Sequence, residues 1–194
     1  MIQHKKVILG SASPRRKELL TKLGVKFDQQ VFEIDETYPL DLSPYDVPEY
    51  LAKLKSHSFS NFIDENAVVI TSDTVVVESN KILGKPTDES DALQMILKLS
   101  NKAHDVVTGV CLLFHNKRIS FSNTSKVYFE PISEQEAKFY IDTFSPLDKA
   151  GAYGIQEWIG QSRIRKIDGC YYNIMGLPLN ALYNQFIKEK IISF

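Results

Sequence analysis

Cysteine is nearly absent from this sequence. Its two cysteines, Cys111 and Cys170, lie far apart in the chain, which excludes a disulfide framework and a cysteine-based zinc site. Cys111 falls in an apolar strand pattern and reads as a small core hydrophobe. An excess of one charge is lacking as well. Lysine and arginine number 23 against 24 aspartates and glutamates, a formal net charge of −1, so the chain is not a general binder of nucleic acid polymers and any anion site must be local. No apolar run approaches the roughly 18 residues of a membrane span. Residues 1–6 run into a short strand rather than a signal peptide, so a cytoplasmic protein with no membrane partner is expected. The four histidines, His4, His57, His104 and His115, show no metal-ligand spacing. Neither a glycine-rich Walker loop nor a dinucleotide-binding fingerprint occurs, and there is no internal repeat, low-complexity tract or linker. The expectation is one globular domain over residues 1–194, whose hydrophobic fraction of 43% is ordinary and whose length suffices for a real core.

What is present begins with an apolar run, Val7-Ile8-Leu9, followed by Ser11-Ala12-Ser13-Pro14-Arg15-Arg16-Lys17. Ser13 suits an N-cap, Pro14 the first helical position and Gly24 the C-terminal cap, so a helix is predicted between them. The three cations in its first turn oppose the macrodipole at a cost of roughly 0.3–1 kcal/mol each. That placement makes sense if an anion sits beside Ser11, Ser13, Arg15 and Arg16; the alternative is a surface helix whose cations fan into solvent. A strand is predicted over 26–34. It ends at Asp35-Glu36, a carboxylate pair that reads either as a metal ligand or base or as a solvated loop. Pro48 starts a second helix with Leu51, Leu54, Ser58 and Phe62 near one face, and Lys53 and Lys55 lie off that stripe as surface charges.

Residues 67–77, Ala-Val-Val-Ile-Thr-Ser-Asp-Thr-Val-Val-Val, read as a strand covered on both faces. A carboxylate inside such a run is costly unless it faces a cleft or has a cation beside it, which singles out Asp73. Gly84-Lys85-Pro86 places a lysine in a constrained loop. Thr87 or Asp88 caps a helix with Leu93, Ile96 and Leu97 as its core face. Strands at 106–114 and 119–129 form a hairpin, and Ser133 with Glu136 makes the capping box of a structural helix. Residues 148–156, Asp-Lys-Ala-Gly-Ala-Tyr-Gly-Ile-Gln, combine glycines that permit unusual backbone angles with Gln156, whose amide offers one acceptor and two donors in one plane. A short strand at 164–167, a turn at Asp168-Gly169 and a helix with Leu182, Phe186 and Ile187 read as ordinary packing.

Taken in order, Ser-x-Ser-Pro-Arg-Arg at 11–16, Ser-Asp-Thr-Val-Val at 72–76, Gly-Lys-Pro at 84–86 and Asp-Lys-Ala-Gly-Ala-Tyr-Gly-Ile-Gln at 148–156 closely resemble the Maf family of nucleotide pyrophosphatases. Residues 104–110 and 176–178 also look like family segments. The resemblance implies a mixed α/β fold of the Maf and ITPase kind: an elongated twisted sheet flanked by helices, in two lobes with a central cleft. It implies hydrolysis of a nucleoside triphosphate to the monophosphate and pyrophosphate with Mg²⁺ or Mn²⁺, and a homodimer. The chain is most similar to the branch acting on dTTP and UTP. Carried over by position, Asp73 looks like the general base, Glu36 and Lys55 like polar members of the catalytic site, and Lys85 matches the family's cleft lysine; Asp73 and Glu36 are also expected to hold the divalent metal. Arg16, Thr74 and Gln156 match positions associated with base selection. Two departures stand out: Ser72 where alanine is common, and Glu157-Trp158-Ile159-Gly160 where the family often continues rich in glycine. The alternatives are a nucleotide-sensing regulator of cell division without turnover and a pyrophosphatase for modified purine triphosphates.

Overall fold

The computed structural model describes residues 1–61 and 63–194. Phe62, placed by the sequence pattern on the second helix's stripe, lies outside the described residues. In chain order the elements begin β1 (Ile2–Gln3), β2 (Lys6–Leu9), α1 (Pro14–Lys22), β3 (Phe27–Gln29), α2 (Val47–His57), β4 (Ala67–Glu78), β5 (Lys81–Leu83) and α3 (Glu89–Leu99). They continue β6 (Ala103–Leu113), β7 (Arg118–Phe129), α4 (Glu134–Phe144), α5 (Trp158–Arg163), β8 (Ile164–Asp168), α6 (Tyr171–Ile174), α7 (Leu179–Lys188) and β9 (Ile192–Ser193), with 3-10 turns at Pro146–Asp148 and Ala150–Ala152.

The fold is mixed α/β. Seven strands order as β3-β2-β4-β6-β7-β8 with β5 on β4, and β1 pairs with β9 in a separate ribbon. β2 lies parallel to β3 and β4, with helices in the connections that such parallel pairing requires, while β5 and β8 lie antiparallel to β4 and β7. Contacts divide the chain into two compact units. The first is Met1–Asp73, Thr108–Asn123 and Gly176–Phe194, and the second Thr74–Val107 and Thr124–Met175. Among the described residues no helix is long and apolar enough to cross a membrane.

In the first unit α1 starts as its sequence dictates. Ser13 Oγ accepts from the Arg16 N–H, Pro14 holds the first turn, and Gly24 sits at φ +80° just past the end. The strand expected over 26–34 stops at Gln29. Its partner β2 ends at Leu9, so after one further bond from Gln30 N to Leu9 O the chain has no ladder to extend. Phe32 then anchors the coil by an edge-on contact with Phe59, 4.8 Å between centroids, against the cluster of Phe59, Ile63, Ala67, Val69 and Leu113. α2 begins at Val47, one residue earlier than expected, and ends at His57, so Ser58 falls at its cap and not on its face. Gly109 lets β6 lie against that helix start, since a Cβ there would fall 2.2 Å from the Pro48 carbonyl carbon.

In the second unit Asp88 is the cap of α3, accepting from Asp91 N at 2.8 Å. The buried face of α3 is Ala92, Ile96 and Leu99; Leu93 and Leu97, expected in the core, are half-buried at its flanks. The capping box of Ser133 and Glu136 forms in full. His104, Phe129 and Tyr153 pack edge to face at 5.0–5.4 Å in the core of this unit. In the first unit, Ile187 of α7, read as packing, is exposed, while Leu182 and Phe186 are buried.

Candidate functional site

β4 is buried from end to end except at Asp73 and Thr74, where two half-buried residues interrupt the apolar run. Side chains alternate along a strand, so Thr71 and Asp73 share one face; on α2, Ala52 and Lys55 share one face three residues apart. The two faces meet twice. The buried Thr71 hydroxyl donates to the Ala52 carbonyl at 2.6 Å, and Lys55 Nζ donates to Asp73 Oδ1 at 2.6 Å. The first contact sets the register that makes the second. A cation thus stands beside the intrastrand carboxylate, and Lys55, which its helical position alone would make a surface charge, is 17% exposed against 14% for Asp73. Lys53 behaves as expected of a surface charge, paired with Glu49 at 2.8 Å. Lys55 Nζ also reaches Glu36 Oε2 at 3.0 Å, so one ammonium holds two carboxylates from segments 37 residues apart in sequence (36 and 73).

The three cations of α1 part company. Lys17 is exposed and Arg15 half-buried. Arg16 turns inward, its Nε donating to the Gly176 carbonyl at 2.8 Å and Nη1 to Ser11 Oγ at 3.2 Å. Burial lowers the guanidinium's pKa; Asp73 opposes that, Arg15 adds to it, and Glu36 opposes it. An arginine remains charged through any such shift, so a half-buried cation lies within the field of the Asp73 and Glu36 carboxylates. Ser11 Oγ also accepts from Ser13 N at 3.3 Å, and its carbonyl accepts from Gln29 Nε2 at 2.7 Å. The two serines therefore shape the loop and aim Arg16. Gly176, which the sequence shows only within a segment resembling the family, takes part through its carbonyl. Its carbonyl also accepts from Ser72 Oγ at 3.3 Å, which gives that serine a role where alanine is common in the resembling family. A polar side chain at 72, beside the aspartate inside the apolar run, is the available signal.

Ser11, Ser13, Arg15, Arg16, Glu36, Lys55 and Asp73 belong to the first unit; Thr74, Lys85 and Gln156 belong to the second. Lys85 is exposed on a loop fastened by the bond from Gly151 N to Gly84 O at 2.9 Å. Gly151 takes φ +69°, and a Cβ there would press Val76 at 3.0 Å, so glycine is required on both counts. Gln156 is half-buried at the end of this loop, its Nε2 3.4 Å from Glu157 Oε1. Glu157 gathers the loop. Its carboxylate accepts from the Tyr140 hydroxyl of α4 and pairs with Lys149 Nζ at 3.2 Å, and Tyr140 in turn accepts from Gly154 N at 2.9 Å. Lys149, which also bonds Asp148 at 2.8 Å, is 9% exposed and Glu157 17%. Desolvation, and then the Glu157 carboxylate, push the Tyr140 hydroxyl well above its ordinary range, so it stays a proton donor.

Among the described residues no three His, Cys, Asp or Glu side chains cluster around a common point. The donor set is the carboxylate pair Glu36 and Asp73. Two carboxylates with the remaining positions left to phosphate and water oxygens are what a hard divalent cation takes in sites where it travels with a polyphosphate, so the residues fit such a metal.

Comparison with known proteins covers nearly the whole chain. The family model described as Maf-like protein matches residues 6–189. A dTTP/UTP pyrophosphatase of Bacteroides thetaiotaomicron is 44% identical over 183 residues, 94% of this chain and 95% of that protein. One from Phocaeicola vulgatus is 46% identical over 184 residues, 94% and 95% of the two chains. Among solved structures, the Staphylococcus aureus Ham1 protein shares the fold with a TM-score of 0.54 at 16% identity, over 95% of this chain and all of that one.

Proposed function

The chain belongs to the Maf family, and from that premise we propose that it is a nucleoside triphosphate pyrophosphatase that converts dTTP and UTP to the monophosphate and pyrophosphate. The observation that supports it most directly is the pair of carboxylates, Asp73 and Glu36, gathered by Lys55 beside the half-buried Arg16. The relatives named dTTP/UTP pyrophosphatase support the choice of substrate.

Cleaving an α–β phosphoanhydride requires an activated water, charge neutralisation and in-line geometry. Asp73 is proposed to accept the proton of the attacking water. Its carboxylate has Lys55 as its hydrogen-bond donor, which orients it. Asp73 and Glu36 would hold a Mg²⁺ or Mn²⁺ ion, which when bound supplies positive charge to the phosphate oxygens and acidifies a water. Lys55 keeps the two carboxylates from repelling each other apart. Lys85 is proposed to neutralise the departing pyrophosphate, and Arg16, Thr74 and Gln156 to select the base. The same reading makes the protein a cytoplasmic homodimer acting on free nucleotides, checked for assembly by light scattering.

The test is pyrophosphate release from dTTP, UTP, CTP, GTP and 5-methyl or N7-methyl analogues with either metal. Release from dTTP and UTP above the others is expected. Tight UTP binding without release would favour a nucleotide sensor, and release from methylated purines alone would move the substrate class.

A further inference from the structure

The departure at Glu157 is the one sequence feature that the catalytic reading leaves unused, and it lies next to Gln156. An amide is ambiguous by nature: rotated by half a turn it exchanges acceptor and donor. The pyrimidines exploit that ambiguity. Uracil and thymine present an N3–H donor beside carbonyl acceptors, whereas cytosine presents an N3 acceptor beside an amino donor. A freely rotating glutamine can match either; a locked one matches a single pattern at a given base position.

We propose that Glu157 is a positioning residue that locks the orientation of the Gln156 amide and thereby sets uracil and thymine against cytosine. The inference rests on the reading of Gln156 as the base contact. Glu157 Oε1 faces Gln156 Nε2 at 3.4 Å, and a half-turn would bring the amide oxygen against the carboxylate instead. The carboxylate cannot withdraw to accommodate that. Its other oxygen takes the Tyr140 hydroxyl, and Lys149 Nζ stands 3.2 Å from Oε1. The Glu157 N–H is itself tied to Gly154 O at 3.0 Å. One Gln156 amide proton is thus committed to Glu157, which leaves Oε1 and the second proton to meet N3–H and a carbonyl of uracil or thymine.

The experiment is the ratio of kcat/KM for UTP over CTP in the wild type, in Glu157→Gln and in Tyr140→Phe. Glutamine at 157 keeps the size but can face either end of the Gln156 amide. The ratio should fall by about tenfold, the equivalent of one net hydrogen bond, with kcat on UTP changing less than the ratio. Tyr140→Phe removes a different bond to the same carboxylate and leaves Oε1 in place, so it should lower Tm and spare the ratio. An unchanged ratio in Glu157→Gln, or an equal fall in Tyr140→Phe, overturns the proposal. A wild type inactive on every pyrimidine overturns the activity reading and the proposal together, whereas an active, discriminating wild type with an indifferent Glu157→Gln overturns the proposal alone. Should Glu157→Gln not fold, glutamine-labelled wild-type protein supplies the readout, with the Gln156 amide assigned by its loss in Gln156→Ala. Two side-chain proton resonances spread more widely than in exposed glutamines are expected, and a spectrum indistinguishable from theirs overturns the proposal.

Discussion

Each unit holds a lysine between two carboxylates. In the first, Lys55 joins Glu36 and Asp73; in the second, Lys149 joins Asp148 and Glu157. Both lysines are largely withdrawn from water, and both pairs include one exposed and one sheltered carboxylate, yet their surroundings differ. Glu157 is saturated by a tyrosine hydroxyl, an ammonium and an amide, and glycine lies against its face. Asp73 has Lys55 as its hydrogen-bond donor among the described residues, and Glu36 comes from an exposed coil. An ion pair with unfilled lone pairs is available to a cation and a phosphate; a saturated one holds a loop. The charges are alike, and the satisfaction of the lone pairs is the difference on which the proposed roles rest.

The sharpest way to break this comparison is to neutralise one charged partner in each. Asp73→Asn keeps the shape of β4 and removes the base and the metal's oxygen donor. Turnover of dTTP should fall by about a thousandfold or more, roughly 4 kcal/mol of activation energy, while Tm moves by a few degrees at most. Full activity in that variant would remove Asp73 from the chemistry. Lys149→Met should show the reverse pattern. It strands the sheltered Glu157 carboxylate, and loss of one partner from such a pair costs about 3 kcal/mol, or a Tm drop of roughly 6–12 °C in a chain of this size. A Lys149→Met protein as stable as the wild type would show that the second pair is not a scaffold.

A pH titration extends the comparison to the second unit's core. His104 is buried with its Nε2 2.7 Å from the Tyr153 hydroxyl, and burial lowers its pKa from 6.5 to about 4, with the Glu78 charge raising it slightly. The unfolded chain therefore binds a proton that the folded chain refuses between those values. Stability is full above pH 6.5 and drains as pH falls toward 4, by up to about 3 kcal/mol. Urea unfolding at pH 7 and pH 5 should show the decline, and His104→Phe, which keeps an aromatic ring against Phe129 and Tyr153, should flatten it. Equal slopes in the two proteins would mean that other groups carry the acid sensitivity.

Much of this is legible in the sequence, for physical reasons. Ser13-Pro14 and Ser133 with Glu136 start helices through bonds made within four residues, so their chemistry is local and the sequence displays it. Asp73 stood out because ionised groups inside β-branched runs are expensive. Its partner did not stand out: Lys55 is one of two lysines on α2, and the Thr71 to Ala52 bond sets the register that turns it inward. Gly176 was invisible as a ligand because its contribution is a carbonyl, which every residue carries. The strand predicted through Ile34 failed for a similar reason, since strand length is set by a partner, and β2 ends at Leu9. The Glu157 departure was visible, but its meaning required Tyr140 and Lys149 around it.

The smallest effect tests the packing on which the closed pair depends. A Cβ at Gly154 would lie 2.6–2.9 Å from the three carboxylate atoms of Glu157, closer than side chains tolerate. Gly154→Ala should therefore cost about 1–3 kcal/mol by crowding, even though Gly154 does not adopt a positive φ that would itself demand glycine. The cause can be isolated. If the added methyl group strikes the Glu157 carboxylate, then truncating that side chain first should remove most of the penalty, and Gly154→Ala should cost clearly less in a Glu157→Ala background than in the wild type. Neighbours that share a contact are expected to be non-additive in this way, by about 0.5–3 kcal/mol. Additive costs, measured as urea midpoints for the four proteins of the cycle, would mean that the carboxylate can move aside. The saturated pair would then be as adaptable as the one between Glu36 and Asp73, and the distinction between the two lysine-centred pairs would lose its physical basis.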